Sequence, residues 1–420
     1  MEERNGWQRA ISAAKTFDVT VLYSPSISLA DLESSVPIQV LGSIHFEPVH
    51  DDRWSRSLRS FNLLFYASYR HWHRLAFRKA WTLHRANAFH ISHLVTLCGF
   101  REPGYVWQLD VPHVWGPVGG THNFPLRYLK SLDRWNQLRE SLRAAMNYYQ
   151  LHWCPRVRRA VRKSATIIAA TTGAQVDLKR GLGITTEREL ETGIDHPIAE
   201  ARGPRQAIGP LKILWTGRLR AWKGLPILLH AVALLPKAID VHLRVVGDGK
   251  SRASWETLAL KLGIEACIEW IPWPAYRESL QYYKWADLFA FTSLRDTSGT
   301  GLLEALAAGC PILGVNHQGA ADIMTDQCAL RVSVKDWSTS VSSFRDGIVR
   351  MATEPEEWLR LSQGATLRAR DFEWNGRSDS VQSIYLKLVS GASVADQGKV
   401  EEKLQGVSLT PSNDLALEQK

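Results

Sequence analysis

Thr292-Ser293-Leu294-Arg295-Asp296-Thr297-Ser298-Gly299-Thr300-Gly301-Leu302-Leu303-Glu304-Ala305-Leu306-Ala307-Ala308-Gly309-Cys310-Pro311 is the stretch that decides the fold. It begins where the apolar run Leu288–Thr292 ends, passes through a Gly/Ser/Thr loop, and enters a helix near Gly301. Ligands of open α/β sheets bind beyond the carboxyl ends of the strands, where this loop would lie. Backbone N–H groups of the loop and the N-terminus of the helix can together cradle a phosphate. Glu304, about one turn into the helix, can face the same crevice and accept hydrogen bonds from a ribose diol. Taken alone, the stretch reads first as a capped helix with an exposed glutamate.

Upstream and downstream of this stretch, short apolar runs alternate with amphipathic helical segments, the pattern of a parallel α/β sheet. Strands are expected at Val19–Tyr23, Ile38–Leu41, Val111–Trp115 and Thr166–Ala170. A second series comprises Leu211–Trp215, Val241–Val246, Ile268–Ile271, Leu288–Thr292 and Pro311–Val315. Glycines and prolines crowd Glu191–Pro210, between the two series, and mark an interdomain connection. A length of 420 residues suits two domains. The expected division is an N-terminal domain over 1–195, a linker over 196–210, a second domain over 211–372 and a C-terminal helix over 373–390. From Gly391 the chain is polar and without periodicity, and a disordered tail is expected over 391–420.

Two more turns of the second series carry chemistry. Gly217-Arg218-Leu219 follows the strand Leu211–Trp215, and Trp222-Lys223-Gly224 opens the next helix. Arg218 and Lys223 at one strand–helix turn suit a diphosphate, although most arginines and lysines are simply solvated. Gly247-Asp248-Gly249 makes a tight turn after Val241–Val246, a weak signal that many α/β proteins share.

In order and spacing, Gly217-Arg218 … Lys223-Gly224 … Gly247-Asp248-Gly249 … Asp296-x7-Glu304 … Ala308-Gly309-x-Pro311 resembles retaining glycosyltransferase family 4 across Leu211–Val332. The resemblance implies the GT-B fold, two facing Rossmann-like domains with parallel sheets. It implies a hexosyltransferase whose donor substrate is a nucleoside diphosphate sugar, with no separate cofactor. It also implies donor ribose on Glu304, donor diphosphate on Arg218 and Lys223, and donor sugar on the loop from Asp296 through Ser298, Gly299, Thr300, Gly301 and Leu302. Where the family has two glutamates eight positions apart, Asp296 stands first here, one methylene shorter. Asp-Thr/Ser-Gly in place of Glu-Gly-Phe-Gly is similar to a subgroup of bacterial polysaccharide-biosynthesis enzymes. The N-terminal half resembles that subgroup in Gly6-Trp7, His93-Leu94-Val95-Thr96, Val114-Trp115-Gly116-Pro117-Val118-Gly119-Gly120 and Glu191-Thr192-Gly193-Ile194-Asp195. By this resemblance His93 is a catalytic candidate, with Asp296 and Glu304, and Gly119 and Gly120 bring backbone close to the donor phosphates. The family's opening strand and glycine-rich loop have no counterpart before the helix that includes Trp7–Ala14.

Composition bounds the partners. A formal charge of +9 favours anions of any kind. The five cysteines, Cys98, Cys154, Cys267, Cys310 and Cys328, are scattered without C-x-x-C spacing, which argues for a reducing cytoplasm and against a zinc site. Asp110 and Asp133 stand alone, so no D-x-D-like metal site is expected. The N-terminus lacks a signal pattern, and no apolar run approaches the ~20 residues of a membrane span. Arg53–Arg85 holds eight Arg/Lys and no acid, interleaved with aromatics from Trp54 to Trp81. Arg127–Lys163 adds ten more Arg/Lys, with Trp135, Tyr148, Tyr149 and Trp153. Such faces suit an anionic membrane surface, here the inner face of the plasma membrane, where a lipid-linked hydroxyl acceptor would be met. The bland alternative is a helical excursion with inward aromatics and solvated arginines. No nucleic-acid-binding motif is present. A degenerate, non-catalytic GT-B chain serving as a membrane or partner scaffold is the competing expectation.

Overall fold

A computed structural model describes residues 2–25, 28–50, 52, 65–205 and 209–392. In the N-terminal half the chain forms α1 (Glu2–Ala14), β1 (Val19–Tyr23), α2 (Leu29–Ser34), β2 (Ile44–Pro48), α3 (Phe65–Asn87), β3 (Ser92–Leu94) and β4 (His113–Val118). There follow α4 (Arg134–His152), α5 (Pro155–Lys163), β5 (Thr166–Ala169), α6 (Thr172–Leu182) and β6 (Glu187–Arg188). The second half alternates strictly: β7 (Leu211–Thr216), α7 (Leu225–Ala233), β8 (Val241–Val246), α8 (Arg252–Leu262), β9 (Ile268–Ile271), α9 (Tyr276–Trp285), β10 (Leu288–Phe291), α10 (Thr300–Ala307), β11 (Ile312–Val315), α11 (Gly319–Ile323) and β12 (Ala329–Val332). Three helices close the described chain: α12 (Trp337–Thr353), α13 (Pro355–Arg370) and α14 (Trp374–Ala392).

β7 to β12 make one parallel sheet in the order β12-β11-β10-β7-β8-β9. Its central strands are apolar on both faces because helices cover both, as in Leu288-Phe289-Ala290-Phe291, all buried. From β7 the chain steps outward to β8 and β9, then returns to β7's other side as β10. The crevice between β7 and β10 is therefore the topological switch point.

The N-terminal half holds a parallel four-stranded sheet, β3-β4-β5-β6, and a separate parallel pair, β1-β2. The apolar run Ile38–Leu41 is not a strand. It lies in a 3-10 helix, Ile38–Ser43, that Pro37 precedes, with Ile38 87% exposed. The strand of that region is β2, beginning at Ile44. Apolarity without alternation misplaced it, since proline pre-sets the first turn of a helix as readily as it ends a strand.

Two segments cross between the halves. After β4 the chain runs over the C-terminal core, where Phe124 and Tyr128 are buried among Leu219, Leu225 and Leu294. The Tyr128 hydroxyl is 2.9 Å from the Asp336 carbonyl, to which it donates, and 2.6 Å from Ser340 Oγ. In the other direction α14 returns, packing Val381 and Tyr385 on Val114 and Ile168. The connection before β7 is itself fixed: the Arg202 guanidinium donates to the carbonyls of Tyr283, Ala286 and Ala308 at 2.6–2.9 Å. Residues 393–420, where the tail was expected, and Arg53–Leu64 of the first basic stretch lie outside the described residues.

Candidate active site

The loops after β7 and β10 meet at the switch point. Trp215 Nε1 donates to Thr292 Oγ1 at 2.9 Å, Thr292 Oγ1 donates to the Lys223 carbonyl at 2.7 Å, and Leu294 N–H donates to the Trp222 carbonyl at 2.9 Å. These bonds bring Lys223 into an ion pair with Asp296. Arg218 lies beside them, exposed and without an ion pair among the described residues. The β7 and β8 turns pass so close that a Cβ at Gly247 would sit 2.0 Å from the Gly217 carbonyl oxygen, so that position excludes any side chain.

Glu304 rises from α10 toward the same crevice. The Tyr283 hydroxyl hydrogen-bonds the Glu304 carboxylate and lies 2.7 Å from Thr216 Oγ1 at the end of β7. Burial pushes the Glu304 carboxyl up to about 6, while the Tyr283 hydroxyl and the Arg4 guanidinium pull the other way. Arg4 comes from α1, pairs with Asp195, and stacks 4.5 Å over the Tyr276 ring. Thr300 and Gly301 open α10 after Gly299, whose φ of +56° is left-handed. Leu302 lies deeper than expected. Its side chain is in the core and its N–H donates to the Gly299 carbonyl at 2.7 Å, so it supports the loop from beneath.

Loop 296–299 is clamped between the domains. A Cβ at Gly119 would be 2.4 Å from Thr297 Cγ2, and one at Gly319 would be 1.5 Å from the Thr297 carbonyl oxygen. Gln318 accepts from Asp296 N–H at 2.7 Å and donates to the Asn123 carbonyl at 2.9 Å, bridging the halves from a strained φ of +55°. Ser298 Oγ donates to Glu191, whose carboxyl is raised mainly by burial, with Asp296 adding to the shift. Between the halves lies a cavity of about 210 Å³, lined by Gly120, His122 and Arg143 on one side and Trp222, Arg295, Asp296 and Thr297 on the other.

His93 is not part of this cavity. Its Nε2 donates to the Gly116 carbonyl at 2.8 Å, so its Nδ1 accepts from the Tyr385 hydroxyl of α14. Burial lowers the ring to about 4, and a neutral imidazole with both nitrogens engaged holds α14 to the sheet. That arrangement corrects the reading of His93 as a crevice residue. The partner is nearly three hundred positions away, which no local pattern discloses. The histidine that does line the cavity is His122, with Nε2 3.0 Å from Thr171 Oγ1 and Nδ1 3.6 Å from Asp177. Its signal was its place two residues after Gly119-Gly120. Sequence reasoning also passed over Arg143 and Gln318 and gave Glu191, named in a motif, no role, since each is identified only by what it faces in the folded chain.

Residues 201–366 match the family described as Glycosyl transferases group 1. That match lies within the C-terminal domain. The chain is similar to D-inositol 3-phosphate glycosyltransferases, at 27% identity over 184 residues in Corynebacterium efficiens (41% of this chain, 42% of that protein). In Corynebacterium urealyticum the likeness is 24% over 335 residues (73% of this chain, 77% of that protein). The first of these matches thus spans less than half of the relative's length. Among solved structures, Anabaena Alr3699/HepE in complex with UDP superposes with TM-score 0.61 at 14% identity, covering 91% of this chain and 96% of that one. WaaG, a glycosyltransferase involved in lipopolysaccharide biosynthesis, superposes with TM-score 0.56 at 17% identity, covering 91% and 95%. These likenesses establish the GT-B fold of two Rossmann-like domains, with the group 1 domain as the second.

Proposed function

We propose that the chain is a retaining glycosyltransferase that takes a sugar from a nucleoside diphosphate sugar to a hydroxyl of a lipid-linked or polysaccharide acceptor. The observation that carries this reading is the group gathered at the switch point of the group 1 domain: Arg218, Lys223 and the start of α10 for a diphosphate, and Glu304 for a ribose. Arg218 and Lys223 would meet the negative charge that grows on the departing diphosphate, together with the α10 dipole. The anomeric C–O bond to the diphosphate breaks, the acceptor oxygen bonds to the same carbon from the same face, and its proton passes to the departing phosphate oxygen. Retention rests on the family resemblance and not on these distances. No further cofactor enters the reading.

The N-terminal half supports a surface-bound acceptor. Along α4 and onto Trp153, which caps its C-terminus, Trp135, Leu138, Leu142, Met146, Tyr149 and Trp153 recur at spacings of three and four and are 49–72% exposed. A contiguous apolar stripe on a helix rich in arginine lies well in a membrane interface. Among the described residues no helix is long and apolar enough to cross a membrane. The reading is therefore peripheral attachment at a cytoplasmic membrane face.

Calorimetric titration with UDP and GDP, followed by transfer assays with a panel of nucleotide sugars, tests the proposal. Binding of one nucleotide, weakened about tenfold by Arg218→Gln and abolished with turnover by Glu304→Ala, is expected. A chain that binds neither nucleotide, or a Glu304→Ala variant with undiminished transfer, removes it.

A further inference from the structure

Helix α4 turns its other face to the cleft. Arg143 lines the interdomain cavity with Arg295, and its Nε is buried with no hydrogen-bond partner. Among the described residues the Arg143 guanidinium makes no ion pair. Arg295 stacks 4.6 Å over the Trp222 ring and has the Glu140 carboxylate at 3.4 Å. Arg101, just behind, donates to the Asn147 side chain and leaves its own Nε buried without a partner. Asp296, the other acid at the cavity, is paired with Lys223. With Arg139, which stacks 5.2 Å over the same Trp222 ring, four guanidiniums thus share the one Glu140 carboxylate. Burial, followed by the charges of Arg295 and Arg101, lowers Arg143 to about 9. Cations held in partial burial with less counter-charge than their number cost stability, and proteins keep such arrangements where they bind something.

We propose that Arg143 and Arg295 form a second oxyanion site, apart from the diphosphate end of the donor site, and that it holds a phosphate group carried by the acceptor. The donor's diphosphate has its own cations, Arg218 and Lys223, after β7. Arg143 instead stands on the N-terminal half, on the helix whose outer face exposes Leu138 and Leu142, and Arg295 meets it from the group 1 domain. One phosphate between them relieves the repulsion of two like charges and ties the halves together with bidentate bonds. Placing that phosphate on the acceptor rests on the glycosyltransferase reading, whereas the anion site stands on the charges alone. A soluble phosphate ester and a lipid headgroup offer the same chemistry.

Calorimetry on the full chain, with inorganic phosphate as probe, tests this with and without saturating UDP. Phosphate is expected to bind in both conditions. Arg143→Gln and Arg295→Lys should each weaken it about tenfold or more, while UDP affinity stays within about twofold. Arg143→Lys should recover part of the loss. Arg143→Gln removes an unpaired charge, so it should melt at or above the wild-type temperature. Arg295→Lys keeps a cation for Glu140. Phosphate binding that saturating UDP abolishes, or that Arg143→Gln leaves unchanged, overturns the proposal. Arginine-dependent phosphate binding by a chain that binds no nucleotide would keep the anion site and remove the glycosyltransferase reading. Glycerol 3-phosphate, compared with phosphatidylcholine vesicles with and without phosphatidic acid, then separates the sources. Preference for either probe supports the site, and Arg143-dependent binding of neither counts against it.

Discussion

Glu304 carries the most exposed prediction of any single residue. To accept hydrogen bonds from two ribose hydroxyls it must be ionised, yet burial holds its carboxyl near 6 in the free protein. UDP affinity should therefore climb as pH rises through about 6 and level off above it, with about a tenfold loss one unit below. A flat calorimetric profile between about pH 5 and 8 would count against a ribose contact. Stability runs in the opposite sense. The folded value lies above the ordinary 4.5, so the stabilisation is present below about 4.5 and is lost as pH rises through about 6. At neutral pH the ionised group costs about 2 kcal/mol. Glu304→Gln should thus melt higher at neutral pH while binding UDP more weakly, a pairing that a merely structural glutamate would not show. This residue was legible from its place after a glycine loop. His122 and Arg143 were not, because what distinguishes them is a cavity wall supplied by the other domain.

At the scale of elements, the loop that carries Asp296 owes its position to glycines on two other elements. Gly119→Ala would drive a methyl into Thr297 Cγ2 and also bring it 3.1 Å from Cys98 Sγ. The displaced loop should cut transfer about tenfold or more. Thr297→Ser, which removes the struck methyl, should restore much of it in the double variant. Failure of that rescue, with the fold intact by circular dichroism, would show that Gly119 acts otherwise. Helix α4 makes a separable prediction. Leu138→Glu with Leu142→Glu should lower sedimentation with anionic vesicles at least about tenfold and leave the melting temperature unchanged, since both side chains are more than half exposed. Unaltered sedimentation would remove this face from the membrane reading.

Across the whole molecule, the halves are joined by more than a linker. Tyr128 and Phe124 enter the C-terminal core, Gln318 reaches back to Asn123, and α14 returns to the N-terminal sheet. Tyr385 fastens that last crossing through His93. Tyr385→Phe should lower stability by about 1 kcal/mol in urea unfolding, the value of a lost buried hydrogen bond, while kcat and UDP affinity stay within about twofold. A large fall in kcat at unchanged stability would return His93 to catalysis.

The alternation of apolar runs with helices determined the parallel α/β class and nearly all strands of the second domain. There the inner strands β10 and β11 are apolar throughout, and the strands are separated by turn residues of their own. The glycine loop before Glu304 marked the crevice where a phosphate-bearing ligand is expected. Tertiary structure alone decided that β1-β2 stands apart from β3–β6, that Ile38–Leu41 coils as a 3-10 turn, and which histidine meets the cleft. Those outcomes turn on contacts between segments tens to hundreds of residues apart, whereas hydrophobic period and turn chemistry are local quantities.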